Sequence, residues 1–170
     1  TYNRAYIVGT CIDSVLKQTY RPVEIIVVDE NSTDRTREIA IGYGAKVFNE
    51  PHHEIFHVTK QIALEKASLE WILQLDADEV VTPELSNQIA QIINGSNITF
   101  TNNLFERHQK LIERRDGEIG IPTGEIVGYF IPRKNIFLGK PLIYGGVYPD
   151  PAIRLVKRGK AHFPADRKST

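Results

Sequence analysis

The sequence predicts an α/β fold, a Rossmann-like and mostly parallel sheet flanked by helices. Two observations carry that expectation. The first half alternates helical and strand patterns, the signature of βα units. Its strand-like runs are apolar on both faces, as strands covered by helices on two sides must be, and each ends in a polar, acidic turn.

The elements follow in order. Ile7, Cys11, Ile12, Val15 and Leu16 recur at helical spacing and form one apolar face, which Pro22 closes. Val23 to Val28 is β-branched and almost wholly apolar, a strand that stops at the polar run Asp29 to Asp34. Ser32 or Asp34 can cap the next helix, which runs to about Tyr43 and ends at Gly44. Lys46-Val47-Phe48 reads as a short strand and Pro51-His52-His53 as loop. A helix is expected from about Val58 to Ala67, with Ile62, Ala63 and Ala67 inward. Trp71 to Leu75 is the second clear strand, and Trp71 reads as core. Thr82-Pro83-Glu84 opens a helix with a cap, a proline at the first position and an acid near the positive end of the dipole. It runs to about Ile93, where Asn94-Gly95 breaks it. Leu104, Phe105, His108, Leu111 and Ile112 fit an amphipathic helix ended by Asp116-Gly117. Extended character returns at Tyr129 to Pro132 and Ile153 to Val156.

The 170 residues fit a single domain, 1–170, in which residues 1–96 form a first half, 97–128 a variable insertion and 129–170 a closing segment. Apolar residues are 41% and charged residues 25%, ordinary for a globular protein. Lys plus Arg equals Asp plus Glu at 21 each, so no global field favours nucleic acid, and an anionic ligand must be held by local groups. The one cysteine, Cys11, allows no disulfide within the chain and reads as a small core residue. No stretch approaches the roughly 20 apolar residues of a membrane span, and no signal peptide is seen at the start. Peripheral membrane contact stays compatible with this composition.

Chemistry concentrates in the two acidic turns, Asp29-Glu30 and Asp76-Ala77-Asp78-Glu79, each directly after an apolar strand. Ligands of open α/β sheets bind beyond the carboxyl ends of the strands, so both turns can converge on one crevice. Asp76 and Asp78 can aim at a common ligand. Paired carboxylates suit Mn²⁺ or Mg²⁺, which bind through one or two carboxylates plus substrate phosphates. His52, His53 and His57 lack a tight ligand pattern and read as surface loop.

These blocks resemble family 2 glycosyltransferases of the GT-A fold. Thr1-Tyr2-Asn3, Asp13 to Tyr20 and Glu24 to Thr36 read like that family's first two blocks in order, and Ala67 to Leu73 with Leu75 to Glu79 like its third. Ile131 to Asn135, Gly145 to Asp150 and Arg154 to Lys160 are similar to a narrower branch, bacterial enzymes that add a sugar to the lipopolysaccharide core.

The resemblance implies roles. Thr1, Tyr2 and Asn3 would lie beside the uracil, with Tyr2 stacking on it. Asp29 and Glu30 match the acidic pair that recognises base and ribose, Glu30 standing where Asp is more usual. Lys60 stands where the family often has Arg and would reach base or diphosphate. Asp76, with Ala77, would face the ribose and metal, and Asp78 would bind the metal directly. Arg154 would reach phosphate, and His162 lies near the same basic segment. Asp150 is the expected general base. The implied reaction is metal-dependent, inverting transfer of a hexose from a UDP-sugar donor to a hydroxyl of a glycan or lipid-linked glycan, in the cytoplasm or at the inner face of the cell membrane, in cell-envelope polysaccharide synthesis. The alternatives are a polyprenyl-phosphate sugar synthase, suggested by Asp76 to Glu84, and a nucleotide-sugar-binding module without turnover. Two departures stand out. The family has an apolar strand before its Thr-Tyr-Asn block, so the first strand reads as missing and a central sheet position as empty. The branch's His-Glu pair after the basic segment is not found up to Thr170, so the chain reads as trimmed at both ends.

Overall fold

In the computed structural model, the structure describes residues 1–95, 103–116, 124–143, 148 and 150–163. Helix α1 (Val8–Leu16) buries Val8, Cys11 and Ile12, while Leu16 ends exposed. Strand β1 (Ile26–Asp29) is shorter than the apolar run that predicts it. Helix α2 (Thr36–Gly42) has Arg35, not Ser32 or Asp34, at its N-cap position and no side-chain cap bond, while Asp34 just before it accepts the Thr36 amide at 3.0 Å. Gly44 takes φ +82° to close that helix, and Ala45 donates back to Ala40. Strand β2 (Lys46–Asn49) then pairs with β1 in parallel, Val27 opposite Val47. Val8, Ile12, Ala40 and Ala45 form a small core between α1, α2 and this ladder, packed against Ile25, Val27, Ile39 and Val47. Burying each branched side chain there contributes about 1.5–3 kcal/mol.

Helix α3 (Phe56–Lys66) starts two residues before its expected position. Its most buried residues are Thr59 and Leu64, with Ile62, Ala63 and Ala67 only half-buried. The inward face has rotated because Thr59 bonds a buried carboxylate described below. Strand β3 (Trp71–Leu73) is followed by helix α4 (Pro83–Ile93), whose cap Thr82 accepts the Leu85 amide as the Thr-Pro-Glu signal predicts. Helix α5 (Asn103–Asp116) matches the expected amphipathic helix, with Ile112 buried; residues 97–102 and 117–123 of the proposed insertion lie outside the described residues.

The second half is built differently. Strand β4 (Gly128–Arg133), a short hairpin of β5 (Ile136–Phe137) and β6 (Lys140–Pro141), and strand β7 (Asp150–Lys157) come with no helix between them among the described residues. Strands joined without a helical crossover pair antiparallel. Accordingly β7 lies between β3 and β4, antiparallel to both. The architecture is α/β as expected, with the parallel pairing confined, among the described residues, to β1 and β2. Trp71 packs on Tyr129, ring centres 5.9 Å apart, with the Lys157 ammonium over its face, which agrees with a structural role.

A cleft of about 540 Å³ separates β1 from the end of β3, floored by α1 and walled by α3. It opens along the edge of β1 that does not face β2. Thr1 bonds that edge of β1: its amino group donates to Val28 at 2.6 Å and its carbonyl accepts from Glu30 at 2.7 Å, bracketing Asp29 as a parallel strand would.

Candidate functional site

Both acidic turns reach this cleft. Thr1, Tyr2 and Glu30 line one end, Lys60 a side, and Asp76, Ala77 and Asp78 the other end.

At the first end the two carboxylates have different fates. Asp29 is fully buried and turned into its own loop, where it accepts from the Ser32 amide (2.8 Å) and hydroxyl (2.6 Å), with Arg37 Nε 3.8 Å away. It holds the turn together and does not line the cleft. Glu30 does. Its Oε1 accepts the Thr59 hydroxyl and its Oε2 lies 2.7 Å from His52 Nδ1. The His52 and Tyr2 rings are 6.1 Å apart and tilted by 47°, so an acid and two rings border one small space. Asn3, at φ +46°, ties the entering chain to the turn: its amide donates to Ser32 Oγ and its Oδ1 accepts the Thr33 amide, both at 2.9 Å. His52 is the exposed loop residue expected from sequence, and its ring also meets Glu30. Twenty-two positions separate it from Glu30, and no local signal announces the pair.

The second end is a chain of alternating charges. Lys60 Nζ lies 3.2 Å from Asp76 Oδ1, and Arg154 Nη2 donates to Asp76 Oδ2 at 2.7 Å. The same Nη2 donates to Glu79 Oε1 at 2.5 Å. Arg133 lies 3.6 Å from Glu79 and donates to Asp150 Oδ2 at 2.6 Å, where Asn135 also donates at 3.2 Å. Glu79 further accepts the Asp76 amide at 2.9 Å, closing the Asp76-to-Glu79 turn on itself. With its amide oxygen facing them, Gln74 accepts from Arg154 Nη1 (3.1 Å) and Lys60 (3.2 Å).

The folding reason is strand register. Arg133 stands opposite Asp150 in the β4–β7 ladder, and the β3–β7 ladder extends by one bond from Gln74 to Arg154, which brings that buried guanidinium under the acidic turn. Burial acts to raise the Asp76 carboxyl, but the bond and charge of Arg154, aided by Lys60, outweigh it and hold its pKa below the usual value. Four residues predicted from sequence, Lys60, Asp76, Arg154 and Asp150, thus fall on one continuous network. Glu79 and Arg133, its joints, are the residues that sequence reasoning left without a role.

Asp78 is exposed at the cleft and, among the described residues, has no ion-pair partner. No group of three or more His, Cys, Asp or Glu able to hold a metal occurs among the described residues. Asp76 and Asp78 together offer two carboxylates, the number a hard cation takes when phosphate oxygens complete its shell. The pair does not fit a protein-enclosed metal. His162 is exposed beside Phe163, whose amide donates to Gln61 on α3 at 3.0 Å. The branch-like stretch at 144–147 and position 149, and the tail 164–170, lie outside the described residues.

Comparison with known proteins bears on the family and the fold. LpsC of Rhizobium meliloti, a lipopolysaccharide core biosynthesis glycosyltransferase, is 25% identical over 98% of this chain and 52% of that protein. WfgD of Escherichia coli, a UDP-Glc:α-D-GlcNAc-diphosphoundecaprenol β-1,3-glucosyltransferase, is 28% identical over 86% of this chain and 54% of its own length. The chain thus spans about half the length of these relatives. The crystal structure of Staphylococcus aureus TarS residues 1–349 superposes with a TM-score of 0.53 over 62% of this chain and 37% of that one, at 24% identity, which bears on the fold alone. Glycosyl transferase family 2 matches residues 1–147. That match runs through both acidic turns and every wall of the cleft between them, and on it the chain belongs to glycosyl transferase family 2, with a fold of the GT-A type.

Proposed function

We propose that this chain transfers a hexose from a UDP-sugar to a hydroxyl of a glycan or lipid-linked glycan, with inversion and with Mn²⁺ or Mg²⁺. The observation that carries the reading is the ion network joining the donor-side carboxylate Asp76 to the expected base Asp150 through Arg154, Glu79 and Arg133. The name of WfgD states a UDP-glucose donor and a diphosphoundecaprenol-linked acceptor, which favours the same pair of substrates here.

In this reading the base enters between Tyr2 and His52, with Glu30 accepting from it or from the ribose. Lys60 and Arg154 face the diphosphate and oppose the charge that grows as it leaves, the electrostatic contribution to catalysis. Asp78, with Asp76 behind it, would hold the divalent cation, which when bound offsets further charge on the leaving diphosphate. Asp150 takes the proton of the acceptor hydroxyl as that oxygen bonds to the anomeric carbon and the carbon–phosphate-oxygen bond breaks. Arg133 and Asn135 fix the direction in which the Asp150 carboxylate points.

Thermal denaturation with a panel of nucleotides and sugar nucleotides, with and without Mn²⁺, tests this reading. A ligand bound only by the folded chain raises its midpoint in proportion to occupancy. UDP and UDP-hexoses are expected to stabilise it, more so with Mn²⁺, and an Asp78→Asn variant is expected to lose the Mn²⁺ increment alone. Stabilisation by guanosine nucleotides instead would favour the polyprenyl-phosphate synthase. Donor binding without release of UDP would favour the binding module. No response to any nucleotide would refute the reading.

A further inference from the structure

The β5–β6 hairpin carries Leu138, the most exposed large hydrophobic side chain of the described residues, and a cluster of exposed apolar neighbours. Leu138 is 87% exposed, Phe137 62% and Ile136 60%, and Leu142 and Ile143 follow on the same excursion. Single exposed apolar residues need no explanation, but five within eight positions do. The tip adds a second, independent anomaly. Leu138 and Gly139 are the two central residues of a two-residue turn between Phe137 and Lys140, and both have positive φ, +48° and +74°. Such a turn favours Asn-Gly or Asp-Gly, because L-residues with larger side chains resist the left-handed region. A leucine there works against both folding and solubility.

The charges around the tip indicate what it meets. Lys134 and Lys140 flank it, both exposed, with Arg133 at its base. No Asp or Glu occurs from Ile126 to Ile143. An apolar tip within a collar of lysines, free of acids, complements an anionic lipid surface: the tip enters the acyl boundary and the ammonium groups stay at the headgroups. We infer that this hairpin docks the protein on an anionic bilayer. The hairpin leaves the fold at Asn135, whose side chain bonds Asp150 and whose carbonyl accepts the Leu142 amide at 2.8 Å. Docking there would set the Asp150 carboxylate at the membrane, where a lipid-linked hydroxyl arrives. That last step rests on the proposed function; the docking itself does not.

The test is flotation of the full chain with vesicles of phosphatidylglycerol and phosphatidylethanolamine, with phosphatidylcholine vesicles as the neutral control. Binding is expected to the anionic vesicles and to fall as salt rises. Leu138→Asn removes the apolar tip while placing a favoured residue in the turn, so its melting temperature should match or exceed the parent's. Its vesicle affinity should fall about tenfold, the scale for withholding one large apolar side chain. Lys140→Glu should weaken binding about fivefold or more. Absence of flotation, or a Leu138→Asn variant that floats as well as the parent, overturns the inference. So does a concentration-dependent dimer that Leu138→Asn abolishes without any vesicle binding, since the tip would then be a protein contact. The nucleotide-induced thermal shift, read on the same samples, reports the donor site separately, so either proposal can fail alone.

Discussion

Replacing Arg154 by methionine tests the central joint of the site. Its Nη2 makes two charge-assisted bonds, to Asp76 and Glu79, each about 1.5–3 kcal/mol in gross terms. The guanidinium is only 4% exposed, so its burial already costs several kcal/mol that the variant no longer bears. What is lost is the shielding between two carboxylates, and Asp76, at 39% side-chain exposure, is partly screened by water. The net loss is about 1–3 kcal/mol near neutral pH, or about 3–10 °C in melting temperature for a chain of this size. The pH dependence gives the sharper check. In the parent, Asp76 has a lowered pKa, so its contribution is complete above the unfolded value near 4 and is lost as pH falls through the lower folded value. In the variant, burial faces Lys60 alone and the Asp76 pKa rises. Its cost then appears only as pH climbs through that raised value. The gap in melting temperature should therefore narrow from about pH 7 to about pH 4.5, measured with chelator present. A gap that stays constant or widens would show that Arg154 acts by packing and that the charge argument is wrong.

Three further outcomes follow from the same geometry. Asp150→Asn should lower turnover about 10²–10⁴-fold while leaving the nucleotide-induced thermal shift intact; loss of the shift would move Asp150 to the donor side. Glu24 is held down to about 2 by Lys46, by the Ser68 amide and by the Ser68 hydroxyl, so its contribution is present above about pH 4.5 and lost between there and pH 2. Because Lys46 is mostly exposed, Glu24→Gln should cost only about 1 kcal/mol in urea unfolding at neutral pH and close to nothing at pH 2; equal losses at both would contradict the assignment. Burial pushes the Cys11 thiol up to about 11, with Glu79, Asp78 and Asp76 adding to it, so a thiol reagent at mildly alkaline pH should react slowly with the native chain and quickly after denaturation.

Local signals are legible in the sequence, and signals set by register are not. The cap Thr82, the proline after it, the apolar face of α1 and the two strands with acidic ends all depend on neighbours within a few residues, and each stands where the sequence predicts it. Asp29 carries a local signal too: a serine three positions on is a familiar partner for an aspartate at a turn, and the burial of that carboxylate follows from it. Arg133 and Asp150 meet only because β4 and β7 pair in one register, across seventeen positions of intervening chain. Glu79 reads as the last acid of a solvated turn until Arg154 arrives from a strand seventy-five positions later. The strands themselves are shorter than their apolar runs, since Val23 to Ile25 and Gln74 to Leu75 face the cleft or lead into it and have no full ladder to join.

The order of charges in the network explains how one short turn can carry two aspartates with different duties. Lys60, Arg154 and Arg133 alternate with Asp76, Glu79 and Asp150, so positive and negative groups balance within the chain of contacts. Asp76 is neutralised before any ligand arrives, and its carboxylate is aimed by two cations from different elements, one on α3 and one on β7. Asp78, two residues away, is exposed at the cleft and has no ion-pair partner among the described residues. Swapping the two would leave the buried position with an unpaired carboxylate and give the exposed one a countercharge it has no use for. The spacing of the motif by one residue is what places one side chain against the guanidinium and the other toward the opening. On the proposed function, the two phosphates of the donor would meet cations already oriented by Asp76, with little reorganisation left to make at the moment of reaction.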